Sequence, residues 1–185
     1  HARAAEEGFS AEDGGMLVRS FLSAGVDTTV HGLGNTLWCL AHNPDQYAAL
    51  RADPALARGA FEEVLRVEAP VQTFFRTTTR EVTLDGVPVP EGEKVLLFLG
   101  AANRDPRRWP DPERFDVHRR ATGHVGFGFG IHACLGMAMA RLEGEAILTA
   151  LTRHVSAIEL AGEPERMLNN TLRGLDTLPL RLVPA

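Results

Sequence analysis

Phe127-Gly128-Phe129-Gly130-Ile131-His132-Ala133-Cys134-Leu135-Gly136 holds a single cysteine in a glycine-rich loop. The run from Met137 onward is amphipathic and rich in alanine and methionine, so it is expected to be a helix with Cys134 at its amino-terminal end. Free amides and the helix dipole at that end favour negative charge, and therefore the thiolate over the thiol. Gly128 and Gly130 permit backbone turns that a side chain would forbid, and Gly136 lets a flat body approach the backbone. A lone cysteine is most often a small buried hydrophobe, but this frame of glycines around it suits a different use. A planar macrocycle whose metal needs one soft anionic ligand fits, and haem iron under a single axial thiolate is the candidate.

Two further groups could do chemistry or hold it in place. Ala24-Gly25-Val26-Asp27-Thr28-Thr29 lies in the middle of a long helical pattern, where the glycine alone costs about 1 kcal/mol. It reads either as a harmless kink or as a groove that opens where Thr28 bonds a backbone carbonyl, beside the carboxylate of Asp27. Glu63 and Arg66 are three apart and share one helical face. Glu62 is the competing carboxylate.

The ten-residue loop resembles, at every position, the F-G-x-G-x-H-x-C-L-G haem-binding loop of the cytochrome P-450 monooxygenases in their bacterial soluble form. The resemblance implies haem b (iron protoporphyrin IX), with Cys134 as the metal ligand and Gly136 at the backbone beside it. Phe127 would pack against the ring near the sulfur. His132, on the thiolate side, would donate to a propionate, and Arg76 would pair with a propionate as well. Residues 24–29 are similar to the family's oxygen-binding motif, which makes Asp27 and Thr28 the catalytic pair that relays protons. Glu63 and Arg66 match the family's E-x-x-R, whose third member, an arginine in the later meander, is similar to Arg114 in Pro112-Glu113-Arg114-Phe115. By that likeness the three form a buried structural triad beneath the haem.

The elements that must position these groups follow in order. Ser10, with Glu12 and Asp13 behind it, caps a helix that runs to His42 and stops at Asn43-Pro44. Its apolar positions are Met16, Leu17, Phe21, Leu22, Leu33, Leu37 and Leu40, and Cys39 reads as a core residue on the same helix. A short helix over residues 45–51 and a second one to Glu68 precede Pro70. Residues 71–75 are apolar and resemble a segment that lines the family's substrate pocket. Alternation over 77–79 and 82–84, the Asp85-Gly86 turn, a second turn over 87–92 and a strand over 94–99 predict one small antiparallel sheet. A long irregular region from Ala101 to Arg120 resembles the meander; six arginines against four acids between Arg104 and Arg120 suggest a docking face for an acidic electron-transfer protein. The helix after Cys134 continues to His154, and residues 168–182 read as a final hairpin with its tip near Asn170 to Leu172.

Composition narrows the function classes. With 185 residues, 44% hydrophobic and 23% charged, the chain can bury a real core and is not disordered. A net charge of −5 argues against a nucleic-acid partner, which calls for a basic surface. Two cysteines, Cys39 and Cys134, make no disulfide framework, and no segment reads as a signal peptide or membrane span, so a cytoplasmic location is expected. The expected fold is mainly α with a small antiparallel β component: residues 1–185 correspond to the carboxyl-terminal haem-binding part of the P-450 fold, with the amino-terminal half absent. The implied function is hydroxylation of a small organic molecule, with electrons from a ferredoxin- or flavodoxin-type donor. The alternative is a haem-binding fragment without a complete substrate pocket or monooxygenase activity of its own.

Overall fold

Ser10 opens the chain's dominant element. Its hydroxyl accepts the Asp13 amide at 3.1 Å while the Asp13 carboxylate accepts the Ser10 amide at 3.0 Å, a capping box that satisfies two orphan donors. The computed structural model describes residues 6–185. From this cap, α1 runs unbroken over Ala11–His42, followed by α2 (Pro44–Ala52), a 3-10 turn and α3 (Ala57–Val67). Only the second half of α1 enters the core: Cys39 and Leu40 are buried, with Leu33, Leu37 and Trp38 packed alongside. Met16, Leu17, Phe21 and Leu22, apolar positions of the helical pattern, are all exposed, because nothing in the described residues packs on that half.

The core forms where α1, α3 and α5 (Met137–His154) meet. At Gly32, α1 packs on Phe61 and Leu65, both of which would lie 3.7 Å from an added Cβ, an ordinary contact distance. Gly144 of α5 is tighter still, since a Cβ there would fall 2.5 Å from the Phe61 ring. Among the described residues no helix is long and apolar enough to cross a membrane.

The β structure departs from the expected single sheet. β1 (Thr73–Thr77) pairs antiparallel with β4 (Lys94–Phe98), while β2 (Val82–Leu84) pairs with β3 (Val87–Val89) as a separate two-stranded ladder. Residues 87–89, expected as a turn, form β3 because Asp85 (φ 49°) and Gly86 (φ 81°) reverse the chain in two residues and set Leu84 opposite Val87. After α4 (Leu99–Ala102) no helix or strand occurs until a 3-10 turn at Gly130–His132. This long meander is held by four buried anchors, Trp109, Phe115, Val117 and Ala121.

The final hairpin also divides. β6 (Glu165–Arg166) pairs with β7 (Leu175–Thr177), and Leu172 near the tip bridges to Val71. Residues 180–184 form β8 (Leu180–Pro184), which pairs with β5 (Val155–Leu160), a strand that follows α5 without a loop and was not read from the sequence.

Candidate functional site

Cys134 is exposed and lies three residues before the start of α5. Its amide donates to the Phe127 carbonyl at 2.7 Å, which closes the loop on itself, and its own carbonyl accepts the Met137 amide at 3.3 Å. Gly128 and Gly130 have φ of 72° and 63°, the left-handed region expected of them. At Gly128 a Cβ would also fall 2.8 Å from the His132 carbonyl, so both conformation and space demand glycine there. Gly128→Ala is therefore expected to displace the loop at a cost of about 1–3 kcal/mol. Loss of haem retention, at unchanged helix content by circular dichroism, checks it; full haem loading in the variant would show that the loop tolerates the side chain.

The surroundings fit a planar apolar group held by one thiol. A Cβ on Gly136 would find only the Cys134 Sγ, at 3.9 Å, so the backbone there is open to close approach. Phe129, Ile131 and Leu135 around the cysteine expose their side chains, an apolar surface suited to a macrocycle. Among the described residues no three His, Cys, Asp or Glu side chains converge on a metal site. Cys39, by contrast, is buried, and burial pushes its thiol up, so it stays protonated.

The remaining expected residues fall as follows. His132 ends the 3-10 turn and is exposed. Arg76 is half-buried in β1 opposite Val95, its Nη1 donating to the Phe75 carbonyl at 2.8 Å, and it forms no ion pair among the described residues. Phe127 is half-buried and packs on the core, with the Arg141 guanidinium 5.1 Å from its ring centroid. Thr28 donates its hydroxyl to the Ala24 carbonyl at 2.7 Å, as the groove reading requires, yet α1 stays helical throughout. Asp27 beside it is exposed.

The expected triad is correct in its first two members and wrong in its third. Glu63 and Arg66 are fully buried and paired through two bonds, Nε to Oε2 at 2.7 Å and Nη2 to Oε1 at 2.8 Å. The second guanidinium is that of Arg119, whose Nε reaches Glu63 Oε1 at 3.0 Å. Arg114 points its side chain to solvent and contributes only its carbonyl, which accepts Arg66 Nη2 at 3.2 Å. Both arginines lie in the same irregular meander, where spacing carries no information about which one turns inward.

Two other carboxylates of the α3 region hold ion pairs that sequence reasoning did not assign, Glu62 having been named only as a competitor of Glu63 and Glu68 only as a helix end. Glu62 binds the His124 Nε2 at 2.7 Å and the Arg141 guanidinium through both Nε and Nη2. Burial alone pushes the Glu62 carboxyl up, but the hydrogen bonds of His124 and Arg141 overcome this and bring it down to about 2. Glu68, at the carboxyl end of α3, meets Arg104 at 3.1 Å, Arg166 at 3.0 Å and Arg173 at 2.7 Å. Of the six meander arginines, Arg104, Arg107 and Arg119 are committed to carboxylates of this chain.

The cytochrome P450 family model matches residues 1–182. The chain belongs to the cytochrome P450 family. It is 63% identical over 174 residues to cytochrome P450 CYP199A2 of Rhodopseudomonas palustris, covering 94% of this chain and 42% of that protein. It is 42% identical to the cytochrome P450 monooxygenase PikC of Streptomyces venezuelae, covering 93% of this chain and 44% of that one. Among solved structures, cytochrome P450 CYP109Q5 from Chondromyces apiculatus superposes with a TM-score of 0.85 at 40% identity, over 90% of this chain and 44% of that one. The chain thus carries part of the P450 fold and spans less than half the length of these relatives. The family's cofactor is haem b, and the Cys134 loop has the donor and the open backbone to receive it.

Proposed function

We propose that the chain is the haem-thiolate part of a monooxygenase that hydroxylates a small organic molecule, with electrons from a ferredoxin- or flavodoxin-type protein. The observation that carries this reading is the exposed Cys134 thiol, held by its amide on Phe127 at the head of α5. Several relatives are named for such reactions, among them a 6-deoxyerythronolide B hydroxylase of Saccharopolyspora erythraea, 42% identical over 176 residues. When bound, haem supplies a thiolate-ligated iron that activates dioxygen for insertion of one oxygen atom into the substrate.

The chain's own residues would hold and supply this chemistry. Cys134 provides the ligand, Gly136 lets the macrocycle approach, Phe127 backs the loop, and Arg76 and His132 would take the haem carboxylates. Asp27 and Thr28 would manage protons. With its hydrogen directed to the Ala24 carbonyl, Thr28 Oγ1 offers its lone pairs outward, so it accepts a hydrogen bond at rest and donates only when it leaves that carbonyl. Arg108, Arg114 and Arg120, the meander arginines outside the ion pairs, would face an acidic electron donor.

The direct test reconstitutes the chain with haem, reduces it and adds carbon monoxide. A red-shifted thiolate band is expected; haem bound without that band would refute the reading. The alternative, haem binding without turnover, has its own support in the exposed apolar half of α1, where Met16, Leu17, Phe21 and Leu22 meet no second wall. A thiolate band with no substrate turnover by the chain alone selects it.

Thr28→Val tests the proton role in a turnover-competent form. Haem loading and reduction should be unchanged, because the methyl and backbone remain. Product per reducing equivalent should fall by about a hundredfold, the lower end of what a general acid contributes, with hydrogen peroxide taking its place. Equal product yields in the two proteins would remove Thr28 from the chemistry and leave residues 24–29 an ordinary stretch of helix.

A further inference from the structure

Glu62 and Glu63 are neighbours on α3, about 100° apart around the helix, and they face different parts of the molecule. Glu63 faces the meander through Arg119. Glu62 faces the cysteine loop and α5, and its partners form a closed set. His124 is almost wholly buried, with 2% of its side chain exposed, and its Nδ1 accepts the Gly126 amide at 3.0 Å. That bond requires Nδ1 to be without a proton, so Nε2 carries the hydrogen it donates to Glu62 at 2.7 Å. Gly126 leaves no space for a side chain, since a Cβ there would fall 2.8 Å from the Leu65 carbonyl and 3.0 Å from His124 Nδ1.

On the other side of the carboxylate, Arg141 presents Nε and Nη2 to Glu62 and lays its guanidinium over Phe127, 5.1 Å from the ring centroid. The His124 ring lies 5.8 Å from the same ring. Phe127 is thus bordered by both partners of Glu62, and its carbonyl is the group that carries the Cys134 amide, at 2.7 Å.

We propose that Glu62 is a positioning residue for the cysteine loop: by holding His124 and Arg141 against Phe127, it fixes the carbonyl on which the Cys134 backbone hangs. The role rests on the haem-thiolate reading for its purpose, but the coupling from Glu62 to Cys134 is a property of the chain itself. Without the carboxylate, His124 loses the acceptor for its Nε2 proton and Arg141 has no anion, so both are free to leave Phe127. The loop then moves as a unit while the Glu63 clamp, on the far face, stays closed.

The test follows amide hydrogen exchange, residue by residue, in the whole chain without haem, for wild type, Glu62→Ala and Glu62→Gln. Exchange at the Cys134 amide is expected to rise about tenfold or more in Glu62→Ala, while amides of the β5–β8 ladder keep their rates. Glu62→Gln, which keeps the volume but cannot accept from both partners through a carboxylate, should move in the same direction by less. Unchanged exchange at Cys134 in a folded variant overturns the proposal. So does a uniform rise across the chain, which would make Glu62 a general stabiliser, and so does failure of both variants to fold. Haem-loaded variants give a second readout: Glu62→Ala should lose a larger share of its carbon monoxide complex to the blue-shifted form than wild type. If wild type shows no thiolate band but the exchange result holds, the monooxygenase reading fails and the positioning of the loop stands.

Discussion

Glu63→Ala is expected to leave the chain largely unfolded at room temperature. Arg66 is fully buried and its guanidinium is spent on the Glu63 carboxylate and on the carbonyls of Asn103 (2.9 Å), Pro112 (2.7 Å) and Arg114 (3.2 Å). Arg119 is mostly buried beside it, and the Asp116 amide also donates to Glu63 Oε1, at 3.3 Å. Removing the carboxylate strands one fully buried guanidinium and one mostly buried one, at a cost of about 3–5 kcal/mol. That is a large share of the 5–15 kcal/mol typical of a whole domain. The same geometry separates two arginines the sequence does not distinguish. Arg119→Ala should cost less than Glu63→Ala, because Glu63 keeps both bonds to Arg66, and Arg114→Ala, which removes an exposed side chain and leaves the bonding carbonyl, should stay within about 0.5 kcal/mol. Urea titrations of the three variants decide the matter. A Glu63→Ala protein with a midpoint close to wild type would mean that the buried pair is not the clamp.

Cys134→Ser should abolish the thiolate band altogether while leaving the fold intact. The side chain is exposed, and the 2.7 Å bond to Phe127 is made by the backbone amide, which serine keeps. Melting of the haem-free chain should therefore change by no more than about 0.5 kcal/mol. What is lost is the soft anion, because a serine hydroxyl stays protonated near neutral pH and is a harder ligand. Cys39→Ser gives the opposite pattern: a hydroxyl in a buried apolar site costs about 1–3 kcal/mol, but the band should persist. A red-shifted carbon monoxide band surviving in Cys134→Ser would transfer the ligand role elsewhere and undo the proposed function.

The two predictions meet on one short helix. From the α3 region, three carboxylates reach four later segments: Glu62 the cysteine loop and α5, Glu63 the meander, Glu68 the meander's start and the final hairpin. The cysteine loop arrives with the His124 imidazole and the other segments with a guanidinium, and each carboxylate is at least mostly buried, so every contact becomes costly to break from one side. An irregular meander and a glycine-rich loop have few backbone ladders of their own, and this ionic attachment is what lets them hold a defined shape.

The Cys134 loop was legible in the sequence because its requirements are local. Gly128 must adopt φ of 72° and admit no Cβ, and the helix that follows begins at Met137, so residue type and spacing alone disclose the arrangement. The same holds for the Ser10 cap, for the stop at Asn43-Pro44, and for the Glu63–Arg66 pair, which one helical turn brings together. Where a contact joins residues far apart in the chain, the sequence was silent or misleading. Arg119 and Arg114 sit five residues apart in a region with no period, and only packing against α3 selects between them. β8 pairs with β5 rather than with its neighbour in the hairpin, because α5 delivers β5 to that edge without a loop. Gly144 is required by Phe61, a residue far away in the chain, whose ring lies 2.5 Å from where a Cβ would sit. Periodicity reports which face of an element is apolar, but the partner that covers the face is chosen by the folded chain, and so is the residue that neutralises a buried charge.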